Sequence, residues 1–230
     1  LGMTSMHVCR VVKAKLRNGG ASKRIKVGHG GTLDPLATGV LVVLIGRQAT
    51  RLSDHIMRGT KVYHTTVDLS CTSATDDAEG ERVPADVDEP PSLACVEAAC
   101  RAWTGTVMQT PPAFSAIKVG GRRAYQLARS DQQVALQARP TRIDAIDVLH
   151  YAWPLLNLSI TCGKGTYIRS LGRDIGAKMG AGGMLTSLRR TRVGQNTIEQ
   201  AMHLDELPET LTQADLLDAP PPLDSPEAAQ

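Results

Sequence analysis

Hydrophobic positions recur along this chain in two rhythms, one helical and one alternating. Met6, Cys9 and Val12 stand at helical spacing behind Thr4 and Ser5, residues suited to capping, and the polar run Asn18 to Lys23 closes the segment. This predicts a short first helix. Val40 to Ile45 is a short, β-branched apolar run after a glycine-rich loop, Gly28 to Gly39, and predicts a buried strand with that loop held against the core. Lys61 to Leu69 alternates, so Tyr63, Thr65, Val67 and Leu69 share the more apolar face of a half-buried strand. Leu93, Val96, Cys100 and Trp103 mark one face of a helix. Arg142 to His150 and Leu155 to Cys162 alternate as two further strands. Ile168, Leu171, Ile175 and Met179 recur at helical intervals and predict an amphipathic helix ending near Gly180, with Arg169 projecting off its apolar stripe.

Between these elements, Thr72 to Pro91 lacks periodicity and reads as a loop with at most a short hairpin. Pro111 to Pro140 is polar and basic, with a short helix expected around Ala124 to Arg129. Asp218 to Gln230 holds four prolines and few apolar anchors, the pattern of a disordered tail. No internal repeat is present. Strands and helices mixed in one core give an α+β, or mixed α/β, fold. The reading is one domain over residues 1–207 followed by a Pro-rich tail, 208–230. Because the first residue is Leu1, a start further upstream is expected.

A 230-residue chain with 42% hydrophobic residues can bury a sizeable core. Only 3% of residues are aromatic, which excludes a broad platform of base-stacking rings. The formal charge of +3 and pI near 8.7 suit a polyanionic partner without demanding one. The cations cluster locally: Lys118, Arg122, Arg123, Arg129 and Arg139 in one stretch, Arg189, Arg190 and Arg192 in another. Each cluster suits phosphate, and each is equally readable as a solvated face. The five cysteines show no metal-ligand spacing and read as reduced, packed thiols. No run is long and apolar enough for a membrane span and no signal peptide is evident, so the cytoplasm is the expected compartment.

The densest chemical signal is GHGGTLDPLATG, Gly28 to Gly39, where the carboxylate of Asp34 is flanked by Leu33 and Pro35 in a loop abutting an apolar strand. A carboxylate placed there is partly desolvated and needs a cationic or hydrogen-bonding partner to stay charged. Alternatively, Asp34 is a turn residue bonding its own backbone. The loop lacks the spacing of the common nucleotide-binding glycine motifs. A second cluster, GKGTYIRS from Gly163 to Ser170, lies where a strand hands over to a helix. It supplies a ring, Tyr167, and a fixed cation, Arg169, which is able to hold a carboxylate through paired hydrogen bonds.

Asp34 within GHGGTLDPLATG, Tyr63 within KVY, PPAFSAIKVGGRRAYQLAR from Pro111 to Arg129, GTYIRSLGRDIG from Gly165 to Gly176, and LRRTRVG from Leu188 to Gly194 occur in that order. Together they resemble the TruB family of tRNA pseudouridine synthases over roughly Leu1 to Leu207. Some positions depart from the family pattern. The strand and lysine-proline turn expected before GMTS are absent, Phe114 stands where tyrosine is usual, and Ala74 interrupts a Thr- and Asp-rich stretch near Asp77. After Leu207 too few residues remain for the RNA-binding PUA domain common in the family.

The resemblance implies a pseudouridine synthase fold, a central and mainly antiparallel sheet flanked by helices, with the basic insertion at 111–140 closing over RNA. It implies isomerisation of uridine 55 in the tRNA T loop without cofactor or metal, after the base is flipped out of its stack. Asp34 would be the catalytic aspartate, acting at the sugar or base or assisting formation of a glycal. Positive character on the ribose is what a carboxylate can stabilise or capture. His29 would brace the flipped state, Tyr63 would stack on the base and help remove its proton, and Tyr167 and Leu188 would line the uridine pocket. Arg169 would pair with the catalytic aspartate, while Lys118, Arg122, Arg123 and Arg129 would contact phosphates. The expected enzyme is a monomer needing the tRNA T arm but no protein partner or membrane. Two rival readings are a guide-RNA-dependent catalytic subunit and a non-catalytic module that binds and folds tRNA.

Overall fold

The computed structural model describes residues 1–115, 117–119, 121–124 and 136–218. Arg129, the helix expected around it and the chain from 219 onward lie outside the described residues. The chain forms two compact units, one of Leu1–Thr60 with Arg190–Gln230 and a second of Lys61–Arg189.

The first unit opens with helix α1, Ser5–Asn18, followed by strands β1 (Val27–His29), β2 (Thr38–Gly39) and β3 (Val43–Ile45) and the short helices α2 (Gly46–Arg51) and α3 (Ser53–Arg58). Thr4 is the N-cap of α1, its hydroxyl accepting from the His7 backbone at 3.2 Å. The buried stripe of α1 is Ser5, Cys9, Val12 and Leu16, which keeps Cys9 and Val12 of the expected face but has Ser5 in place of Met6, which is exposed. β1 and β3 form an antiparallel pair with Gly28 opposite Leu44. The strand expected over Val40 to Ile45 therefore begins only at Val43, because the backbone of Val40 is engaged with Arg190 instead.

The second unit contains β4 (Lys61–Asp68), β5 (Cys71–Thr72), β6 (Val83–Pro84), α4 (Leu93–Ala102), β7 (Gly105–Gln109), β8 (Lys118–Val119), β9 (Arg122–Arg123), β10 (Arg139–Ala152), β11 (Leu155–Cys162), α5 (Ile168–Lys178) and the first part of β12 (Met184–Val193). Its sheet runs in the order β12, β4, β11, β10, β7. The pairs β10 with β7, β10 with β11 and β11 with β4 are antiparallel, which is the sheet character expected. Alternation explains the core: Val67 and Leu69 from β4 and its exit, and Leu156, Leu158, Ile160 and Cys162 from β11, are buried with Ile168, Leu171 and Ile175 of α5. Gly172 allows α5 to lie close, since a Cβ there would meet the Leu185 side chain at 2.5 Å.

β10 extends beyond the predicted strand at both ends, and β5 with β6 forms the short hairpin foreseen in the 72–91 loop. In the basic stretch, β8 and β9 form a tight hairpin that pairs Lys118 with Arg123 and Val119 with Arg122. The last residues of β12 return to the first unit, pair with β13 (Asn196–Thr197) and lie beside β2.

The expected tail from residue 208 is a correction. Leu211 is buried against Val12 and Leu16, its backbone N–H donating to the Lys15 carbonyl at 3.0 Å, and Leu207 and Leu216 pack around the same cluster. Leu211, with Leu216 beside it, thus anchors the otherwise exposed segment 208–218 on the first unit's core.

Candidate active site

The Asp34 loop is held from two directions within its own unit. At one side Ser5, the first residue of α1, clasps Leu33: its Oγ accepts from the Leu33 N–H at 2.9 Å and donates to the Leu33 carbonyl at 3.2 Å. At the other, Arg190 enters from β12. Its guanidinium donates to the carbonyls of Val40 at 2.9 Å, Thr32 at 3.2 Å and Gly31 at 3.2 Å. Only 2% of Arg190 is exposed. The expectation that Arg190 joins a phosphate-binding surface patch is therefore wrong, because its donors are spent on loop carbonyls, while Arg189 and Arg192 remain exposed.

Asp34 opens a turn in which its carbonyl accepts from the Ala37 N–H at 2.9 Å, with Pro35 at the second position, where a fixed φ suits such a turn. Asp34 is half-buried. The loop closes at Gly39, whose φ is +103° and whose backbone lies so near Arg190 that a Cβ would stand 2.1 Å from the Arg190 carbonyl oxygen, which leaves room for no side chain. His29, on β1, is half-buried, and its Nδ1 is buried outside hydrogen-bond geometry. Burial pushes the imidazole below its ordinary pKa, the Arg190 charge pushes the same way, and the Gly31 backbone partly opposes both.

In the second unit Tyr63 is half-buried on β4, opposite Ile160 of β11, and Leu188 is buried on β12. Tyr167 is the residue before α5, and Gln109 at the end of β7 grips its backbone twice. The amide oxygen of Gln109 accepts from the Tyr167 N–H at 2.8 Å, and the amide nitrogen donates to the Tyr167 carbonyl at 3.1 Å. Gln109 is itself buried. A cavity of about 140 Å³ opens beside this ring, lined in part by Gln109, Ile117, Thr141 and Tyr167.

Arg169, the second residue of α5, is only 6% exposed and so is not a solvated helix arginine. It donates to the carbonyls of Thr75 and Phe114, both at 3.0 Å, and stands 3.3 Å from the Asp77 carboxylate. That last approach is an ion pair whose Oδ2 lies outside hydrogen-bond geometry. Asp77 is fixed through its other oxygen, which accepts from the Thr75 hydroxyl at 2.6 Å and the Glu79 N–H at 3.0 Å. Next to it Arg173 bonds Asp76 at 2.6 Å, Asp174 and the Thr110 carbonyl. Burial raises the pKa of Asp76 and of Asp174 against the pull of Arg173.

Of the residues expected from sequence, His29 and Asp34 fall in one unit, and Tyr63, Tyr167, Arg169 and Leu188 in the other. Lys118, Arg122 and Arg123 share the β8–β9 hairpin. Sequence reasoning missed Gln109, Arg190 and the carboxylate of Asp77. The signal for Arg190 was its place within LRRTRVG, where alternation puts it on the face opposite Arg189. Among the described residues no three His, Cys, Asp or Glu side chains gather as ligands for a metal ion. Nor is any helix there long and apolar enough to cross a membrane.

Residues 17–168 match the model of the TruB family pseudouridylate synthase N-terminal domain, and residues 169–224 that of the tRNA pseudouridylate synthase B C-terminal domain. The chain is 47% identical over 220 residues to tRNA pseudouridine synthase B of Thermobifida fusca (strain YX), spanning 90% of this chain and 73% of that protein. It is 41% identical over 213 residues to the protein of the same name from Parabacteroides distasonis, spanning 93% and 90%. Among solved structures, a chain of a Cbf5-Nop10-Gar1 complex superposes with a TM-score of 0.61 at 27% identity, over 84% of this chain and 46% of that one. A chain of an H/ACA RNP bound to a substrate RNA containing 2'-deoxyuridine gives 0.57 at 25% identity, over 84% and 44%. This chain thus spans about half of the solved chains it matches.

Proposed function

Because the chain belongs to the TruB family of pseudouridylate synthases, we propose that it isomerises uridine 55 in the T loop of tRNA to pseudouridine, with Asp34 as the catalytic carboxylate. The observation that carries this reading is the GHGGTLDPLATG loop, in which a half-buried aspartate stands on a turn anchored by Ser5 and by the buried guanidinium of Arg190. Such a carboxylate is preorganised, so it meets charge developing on a substrate without reorganising first.

The reaction is balanced within the nucleotide. The N1–C1′ bond of uridine breaks, the base rotates, a C5–C1′ bond forms, and the proton on C5 departs while N1 gains one. Positive character on C1′ is met by Asp34. Tyr63 stacks on the flipped base and assists departure of the C5 proton, Tyr167 and Leu188 line the base pocket, and Arg169 supplies the site's fixed positive charge. His29, kept neutral by burial, fills space left by the flipped base without placing a cation there. The β8–β9 hairpin, with Lys118, Arg122 and Arg123, and the neighbouring Arg129 hold backbone phosphates, a sequence-independent way to position RNA.

The enzyme works as a cytoplasmic monomer on tRNA alone, without guide RNA. Supporting the stand-alone reading, relatives named tRNA pseudouridine synthase B are 41–47% identical, whereas the chains from the assemblies are 25–27% identical.

The test is release of tritium from C5 of uracil in a T-arm hairpin. Wild type is expected to release it and Asp34→Asn to release none while still binding the hairpin. Equal release by the two proteins would remove Asp34 from the mechanism, and no release by a folded wild type from hairpin or full tRNA would remove the catalytic reading.

A further inference from the structure

The charge of this chain is unevenly divided. Residues 1–60 hold ten Lys and Arg against two Asp and Glu, whereas the remaining 170 hold sixteen against twenty-one. Solvated surfaces ordinarily mix the two signs, and segregation on this scale points to a polyanion.

Most of the excess sits on α1 and the loop after it. The buried stripe of α1 leaves Arg10, Lys13 and Arg17 at i, i+3 and i+7 along one flank, with Arg10 and Arg17 exposed. On a helical wheel the three lie within about 60° of one another. Arg17 reaches on to the Lys23 carbonyl at 2.6 Å, which ties Lys23, Arg24 and Lys26 to the end of the same flank. Arg10, Lys13, Lys23, Arg24 and Lys26 have no ion-pair partner among the described residues.

Among the described residues, the acidic C-terminal segment up to Asp218 does not neutralise them. It packs on the other side of α1, where Lys15 pairs with Glu209 at 3.6 Å and bonds the Leu207 carbonyl, and where Asn18 contacts the Glu209 carbonyl. Lys15 is about 140–160° round the helix from the basic flank. Helix-dipole stabilisation accounts for Lys15 and Arg17 in the last turn but not for Arg10 and Lys13 in the middle. Like charges at i,i+3 and i,i+4 also work against the helix that carries them. A ligand that brings negative charge along the whole flank reverses that disadvantage.

We propose that the Arg10, Lys13 and Arg17 flank, continued by Lys23, Arg24 and Lys26, is a second phosphate-binding track for the backbone of the substrate RNA, apart from the β8–β9 hairpin. The RNA assignment rests on the functional reading above. The helical part of the track, Arg10 to Arg17, runs about 10 Å along α1 and is lengthened by the loop to Lys26, and the same helix begins with Ser5, which is clasped to Leu33 beside Asp34.

The test is fluorescence anisotropy of a labelled full-length tRNA transcript against the whole chain across a salt series. It compares wild type, Arg10→Gln/Lys13→Gln, the loop variant Arg24→Gln/Lys26→Gln, and a charge-matched control, Arg101→Gln/Lys178→Gln, at exposed positions of the other unit. Each phosphate that the protein no longer neutralises flattens the slope of log affinity against log salt by about 0.9, so either track variant is expected to lower it by about 2. The control should retain the wild-type slope. Wild-type slopes in both track variants, with folding verified by circular dichroism, or an equal flattening in the control, would overturn the proposal. Tritium release by wild type is recorded in parallel. A flattened slope without turnover would leave the track standing and sink the catalytic reading, while turnover with an unchanged slope would do the reverse.

Discussion

Exchanging Arg190 for methionine keeps a long side chain in the core but removes the donors that satisfy the carbonyls of Gly31, Thr32 and Val40. Buried carbonyls left without partners are costly, so Arg190→Met should lower stability by about 3 kcal/mol in denaturant unfolding, with the Asp34 loop losing hydrogen-exchange protection first. His29 gives a second residue-level expectation. Its folded pKa is depressed, so the unfolded chain binds more protons at mildly acidic pH. Stability should fall as pH drops below the ordinary histidine value near 6.5, and His29→Gln should flatten that part of the profile. Thermal melts across pH 5 to 7 read both. Asp34 and Arg169 stood out in the sequence because a carboxylate or guanidinium among apolar neighbours needs a partner. Gln109 did not, because burial of a polar side chain by strands distant in sequence leaves no local pattern, and the one hint for Arg190 was its alternation with Leu188 across Arg189.

At the level of elements, Gln109 links the end of β7 to the start of α5 through both polar groups of the Tyr167 backbone. Gln109→Leu should release that junction and lower kcat about tenfold, since small displacements of positioned groups have effects of that order, with a modest loss in Tm. Gln109→Glu keeps the acceptor for the Tyr167 N–H and should retain more activity than leucine. Steady-state tritium release on the hairpin distinguishes the two. Elements with a clear rhythm were legible in the sequence: β4 from its alternation, β11 at the same bounds, and α5 from its apolar stripe. The six-residue helices α2 and α3 were not, because they bury no residue fully and carry no stripe. β7 is mostly exposed and β12 is broken by arginines, so neither offers the apolar alternation that marks a strand.

At the scale of the whole molecule, the fold class and the order of motifs were readable, while the division into two units was not. Leu1–Thr60 is joined in its unit by Arg190–Gln230, a grouping between chain ends that no linker or change in composition announces. The same grouping explains why the segment after Leu207 reads as a tail yet packs: a single buried leucine, Leu211, anchors it. Leu211→Ala should cost about 2–5 kcal/mol in equilibrium unfolding, a loss outside the range of a tail substitution. The charge asymmetry was present in the sequence too, but the total of +3 conceals it.

The central claim is tested most directly by treating an unmodified full-length tRNA transcript with the protein and mapping pseudouridine by carbodiimide modification and primer extension. The account predicts one new stop, at the T-loop uridine, made by wild type and absent with Asp34→Asn. A stop only at other uridines, an undiminished stop with Asp34→Asn, or no stop from folded wild-type protein would contradict it.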